Sequence, residues 1–146
     1  MVLTKGAVRL AGYAAVFDVP DRGRDVVRRG AFGDVPAGLP LLWQHGADRP
    51  VGRVVEARED ARGLRVVAAF ADGSETAREA AALVEAGALG GLSFGYRTKR
   101  ARADRARGLR ELLSVELVEV SLVTFPMQPL ARVIGVFPST LRQGSG

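Results

Sequence analysis

The sequence predicts an α+β domain: a mainly antiparallel, curved sheet or small β-barrel carrying one clear helix. Three observations lead there. Most apolar segments alternate with period two or form short runs of strand length. A single segment, residues 76–87, has helical spacing. Strands do not alternate with helices, which excludes a doubly wound parallel sheet. The length fits one domain: a chain of 146 residues buries roughly 68–70% of its unfolded surface, enough for a core without staples. The domain is expected to occupy residues 1–137, followed by a polar tail at 138–146.

Taken in order, residues 7–18 (AVRLAGYAAVFD) are largely apolar and interrupted by Gly12, as in a strand with a bulge or a closely approaching neighbour. Residues 21–32 are charged and hold Gly23 and Gly30; they read as a loop carrying the apolar pair Val26 and Val27. Residues 39–45 read as a short strand, ended by the turn-prone stretch Gly46-Ala47-Asp48-Arg49-Pro50. Residues 51–57 and 64–71 pair as a hairpin across 58–63.

The helical segment opens with Thr76 and Glu79 at the spacing of a capping box, in which hydroxyl and carboxylate each satisfy a free backbone N–H. Ala80, Leu83 and Val84 follow on one face, and Gly87 offers a left-handed stop. Residues 89–99 and 109–124 return to period two, with an Arg-rich loop between them. Residues 131–137 form the last ordered element.

Composition narrows the chemistry. With no cysteine, a disulfide scaffold, a thiolate metal site and a Cys nucleophile are excluded. No apolar run is long enough to span a bilayer and no signal peptide opens the chain, so a soluble protein of a cytoplasm-like compartment is expected. The net charge is +5 and the pI is near 10.6, values that raise the question of nucleic acid. The densest basic group, Arg97, Lys99, Arg100, Arg102, Arg105, Arg107 and Arg110, has no aromatic beyond Tyr96 and lacks a stacking platform. A solvated loop is the expected role, and nucleic acid is not an expected partner. No pattern calls for a cofactor or a metal.

Three residues carry candidate chemistry. His45 is the only histidine, and the only side chain here with an unperturbed pKa near neutrality, so a general base at neutral pH is most simply this one. A structural role is the competing reading. Ser93 lies in Gly90-Gly91-Leu92-Ser93-Phe94-Gly95-Tyr96. Alternation sends Leu92, Phe94 and Tyr96 to the core and Ser93 and Gly95 to the other side, leaving room for a peptide backbone to approach. The competing reading is a bulge with a solvated serine. The strand-to-helix elbow of the α/β-hydrolases is missing.

Glu119 shares a face with Leu113, Val115, Leu117, Ser121 and Val123, a carboxylate on an apolar stripe. Burying it requires a partner, either an imidazole N–H or one of the many arginines. Together these three residues supply the parts of an acyl-transfer triad: a hydroxyl to attack, an imidazole to take its proton, and an acid to orient the imidazole. An oxyanion would need backbone donors, for which the Arg-rich loop and the neighbourhood of Arg132 are the candidates.

Several stretches in order resemble the prohead (procapsid) maturation proteases of tailed phages, relatives in fold of the herpesvirus assemblins. They are Gly12-Tyr13-Ala14-Ala15-Val16-Phe17, Gly30-Ala31-Phe32, Leu42-Trp43-Gln44-His45, Val51-Gly52-Arg53-Val54, the segment from Gly90 to Tyr96, and the segment from Leu117 to Pro126. The resemblance covers residues 8–133 and implies a serine endopeptidase with His45 as base, Ser93 as nucleophile and Glu119 as the aligned acid. The assemblins use a second histidine there, which this chain lacks. It implies cleavage of the scaffolding part of the major capsid protein, or of a separate scaffold, inside the immature shell in the host or bacterial cytoplasm. Self-cleavage and a homodimer or higher homo-oligomer go with it, and no membrane. Met127-Gln128-Pro129-Leu130 departs from the family's smaller residues. A catalytically silent β-barrel that assists capsid assembly or binds nucleic acid is the alternative function.

Overall fold

Period two becomes eight strands, joined by one helix, in the computed structural model, which describes residues 8–138. The strands are β1 (Val8–Val16), β2 (Asp25–Val27), β3 (Pro40–Trp43), β4 (Gly46–Glu59), β5 (Gly63–Phe70), β6 (Gly91–Asp104), β7 (Leu109–Val123) and β8 (Val133–Pro138). The helix α1 is Glu75–Glu85.

The longest strand, β7, organises the sheet. One of its edges carries β6, from Gly91 opposite Val123 to Asp104 opposite Leu109. The other edge is shared. There β2 runs parallel to the start of β7 and β3 runs parallel to its end, with Leu42 opposite Ser121. From β3 the order continues through β4, β5, β1 and β8, all antiparallel. An isolated bridge between Gly91 and Arg132 joins the start of β6 to the segment entering β8. The sheet therefore curls until its ends touch. The expected curved, mainly antiparallel sheet is present, with two short parallel pairings added at β7.

The curl wraps an aliphatic core. Leu10, Leu41, Leu64, Val66, Leu92, Leu112, Val120 and Leu122 are fully buried, each worth roughly 1.5–3 kcal/mol against exposure. Gly12 is the close approach expected in β1: a Cβ there would overlap the Arg132 carbonyl and sit 2.8 Å from Leu92. Helix α1 packs Ala77, Ala80, Ala81 and Val84 against β4 and β5.

Four local expectations are corrected. Ser74, not Thr76, caps the helix: it is extended (φ −89°) and its Oγ accepts from the Ala77 N–H at 3.2 Å. The buried face is Ala77, Ala80, Ala81 and Val84, at whose edge Leu83 is left 40% exposed. The C-terminal stop is as expected, with Gly87 donating to Val84 and Ala88 to Leu83. Residues 46–50 are not a turn but the beginning of β4, where register shifts accommodate Pro50, which has no N–H to give a ladder.

The Arg-rich segment is a hairpin arm and not a loop, because β6 and β7 stay paired as far as Asp104 and Leu109. Carboxylates sit among its arginines. Arg102 and Arg28 share Glu111, Arg110 forks onto Asp25 at 2.9 and 2.8 Å, and Arg97 meets Glu116 at 3.4 Å. Of the expected tail, residues 139–146 lie outside the described residues.

Candidate active site

His45 stands on a turn that the sequence pattern placed one step too late. Trp43 pairs with Gly46, so Gln44 and His45 alone connect β3 to β4, with φ of 50° and 60°. Two successive positive φ values suit a two-residue hairpin turn, because their twist matches that of the strands. For residues other than glycine the conformation costs roughly 1–2 kcal/mol each. Hydrogen bonds to the end of β7 offset it. The Gln44 N–H donates to the Leu122 carbonyl at 2.8 Å. The Gln44 side-chain amide donates to Thr124 Oγ1 at 2.8 Å and accepts from the Thr124 N–H at 3.2 Å. The His45 N–H donates to Ser121 Oγ at 3.1 Å.

Register on the β6–β7 hairpin supplies the other two residues. Ser93 lies opposite Ser121 and Gly95 opposite Glu119, so all four share one face. The turn brings the imidazole over that face. His45 Nε2 lies 3.1 Å from Ser93 Oγ, and Nδ1 lies 2.5 Å from Glu119 Oε1. All three candidates, remote in sequence, form one hydrogen-bonded row. The imidazole is 45% exposed and the Glu119 side chain only 10%, so the row is open to solvent at one end and buried at the other.

Gly95 has a different purpose from the one its pattern suggested. A Cβ there would lie 2.5 Å from Glu119 Oε1 and 2.9 Å from its Cγ. The space it leaves is filled by the acid, not kept for a substrate. Gly91 is filled likewise, by Pro126 and the Val123 carbonyl, while Gly90 is open. Glu119 pairs with the imidazole and not with an arginine.

Ser121 completes the arrangement, and the sequence pattern had assigned it no role. Fully buried, it donates to Glu119 Oε2 at 2.6 Å. A small polar residue two positions from the acid, on the same apolar stripe, was the available signal. Gln44 and Thr124 had none.

The bond to Glu119 holds His45 above its ordinary value of 6.5, the carboxylate's charge adding to the effect and burial opposing it. With Nδ1–H directed at Glu119, Nε2 faces the Ser93 hydroxyl as an acceptor. Of the two expected sources of oxyanion donors, the Arg-rich turn closes the far end of the hairpin, roughly 35 Å from Ser93 at strand spacing. That distance removes it. The segment at Arg132, bridged to Gly91, is the one close to Ser93.

Comparison with known proteins agrees with this architecture. A family model described as caudovirus prohead serine protease matches residues 2–142. A capsid polyprotein of Pseudomonas phage PAJU2 is 35% identical over 125 residues, which cover 80% of this chain and 18% of that protein. The prohead protease of Escherichia phage T5 is 27% identical over 128 residues, covering 84% of this chain and 60% of the T5 protein. The chain thus spans less than two thirds of each relative. Among solved structures, KSHV protease in complex with a hexapeptide phosphonate inhibitor covers 90% of this chain and 65% of its own, with a TM-score of 0.59 at 14% identity. That likeness is one of fold: the curled sheet is shared with a herpesvirus protease. Matched by the family model along nearly its full length, the chain belongs to the caudovirus prohead serine protease family.

Proposed function

We propose that this chain is a serine endopeptidase of procapsid maturation, in which Ser93 attacks, His45 moves the proton and Glu119 orients the imidazole. The observation that carries the reading is the row Ser93–His45–Glu119, with links of 3.1 and 2.5 Å. Membership of a serine protease family supports it, and the name of the PAJU2 relative supports a capsid protein as substrate. The scaffolding part of the major capsid protein, or a separate scaffold inside the immature shell, is the proposed target. Self-cleavage and a homodimer or higher oligomer belong to the same reading. No helix among the described residues is long and apolar enough to cross a membrane.

The chemistry follows from the row. As Ser93 Oγ bonds to the scissile carbonyl carbon, its proton passes to Nε2 and the carbonyl oxygen becomes an oxyanion. Glu119 stabilises the imidazolium through Nδ1–H. Collapse breaks the C–N bond, Nε2 returns the proton to the leaving amine, and water repeats the sequence on the acyl-enzyme. An extended peptide finds a template beside the nucleophile. Leu92 donates away from β7, to Ala131; by alternation Phe94 also presents its backbone outward, where a strand can add next to Ser93.

The test is co-expression with the cognate capsid protein, read by intact mass, together with labelling by a fluorophosphonate. The native chain yields a shortened capsid protein and one adduct on Ser93. Ser93→Ala and His45→Ala each abolish both while keeping the circular dichroism of the native fold. Undiminished cleavage by purified Ser93→Ala protein rejects the reading. A silent assembly module gives neither product nor adduct.

A further inference from the structure

We propose that Ser121 is a positioning residue, whose single hydroxyl sets both the place of the imidazole and the direction of the acid that orients it. This rests on the catalytic reading of Ser93, His45 and Glu119. The hydroxyl has one proton, and its surroundings leave that proton one destination. The His45 backbone N–H can only donate, so at 3.1 Å it occupies a lone pair of Oγ. An ionised carboxylate can only accept, so the Oγ proton goes to Glu119 Oε2 at 2.6 Å. The two carboxylate oxygens are thereby divided, Oε2 to Ser121 and Oε1 to the imidazole. Backbone and ring of His45 are both referred to the same two residues of β7.

A filler of the core has no such consequence. Without the hydroxyl, Glu119 Oε2 and the N–H of a left-handed turn each lose a partner, and the carboxylate is free to swing from Nδ1. Among the described residues, Glu119 is the only charge raising the proton affinity of the ring. Asp48 and Arg49, the nearest charged residues along β4, are exposed, and Ser93 and Ser121 are neutral. The position of Glu119 therefore reads out directly in the titration of His45. As the sole histidine, it gives one unambiguous set of imidazole NMR signals.

The decisive comparison is Ser121→Thr against Ser121→Val, side chains of equal shape that differ by the hydroxyl. Ser121→Ala is the smaller variant that needs no extra room. Val and Ala are expected to lower kcat by about 10–100-fold, the rate equivalent of losing a hydrogen bond to a charged group, with KM nearly unchanged. Both should move the His45 titration down towards its ordinary value. Thr should keep the native titration and most of the activity. Native kcat and titration in Ser121→Ala overturn the proposal, as do equal losses in Thr and Val, which assign the effect to volume. Failure of the catalytic reading is separate: it appears as persisting activity in Ser93→Ala, whereas the His45 titration needs no turnover.

Discussion

A base must be neutral to accept a proton, so in the proposed mechanism the working pH is set by His45. Glu119 holds its pKa above 6.5, hence activity is expected to fall as pH drops through a value higher than that of a free histidine. Glu119→Gln removes the charge and offers an amide to Nδ1, favouring the wrong tautomer. It should lower kcat by up to about 10⁴-fold and shift the acid limb of kcat/KM to lower pH; an unmoved limb would show that Glu119 does not act on His45. All three members of the row were legible in the sequence, each as an anomaly: a lone histidine, a serine among glycines, a carboxylate on an apolar stripe. What joins them was not. The Gln44–His45 turn depends on bonds to Leu122, Ser121 and Thr124 that only the parallel docking of β3 on β7 creates.

Among the strands, the β6–β7 hairpin shows how a local pattern can be read correctly and explained wrongly. Alternation placed Ser93 and Gly95 on one face, as found, but the bare face of Gly95 lodges the neighbouring strand's acid. Gly95→Ala is a sharp test of that assignment. Its methyl group would lie 2.5 Å from Oε1, on a side chain that has to move, while the backbone of β6 needs no left-handed conformation at this position. The variant is expected to fold, to lose activity by about 100-fold or more, comparable to a missing transition-state donor, and to lower the His45 titration. If the space served the substrate instead, KM would rise while that titration stayed native. The helix shows a related limit. Its existence and its Gly87 stop followed from spacing, whereas the choice between Ser74 and Thr76 as cap turned on the extended backbone at Ser74, which composition does not encode.

The curl of the sheet was expected from strand-length segments, one helix and no βα alternation. Its parallel pairings were not, because three-residue β2 carries no period and its partner on β7 is remote in sequence. The same remoteness hid the role of the Arg-rich arm, whose charges make sense only with β2 beside them. Glu111 is the centre of that contact. Buried on β7, it accepts from Arg102 on β6 at 2.7 Å and from Arg28, just after β2, at 2.9 Å. The two guanidiniums, Arg102 foremost, hold its pKa at about 2, below its ordinary 4.5. A carboxylate with a depressed folded value stabilises the fold above its unfolded pKa and loses that contribution as pH falls through the folded one. The arm's attachment should therefore weaken between about pH 4.5 and about pH 2. His45 has the opposite sign: its raised value stabilises the fold below 6.5 and the contribution fades as pH rises through the folded pKa. Glu111→Gln leaves two arginines facing an amide. It is expected to lower Tm at neutral pH and to flatten the dependence of Tm on pH across that acid window, with the alkaline contribution of His45 intact. Thermal melts from pH 2 to pH 8 decide it: a variant whose acid slope matches the native slope would assign acid sensitivity to other carboxylates and leave the arm held by its backbone ladder alone.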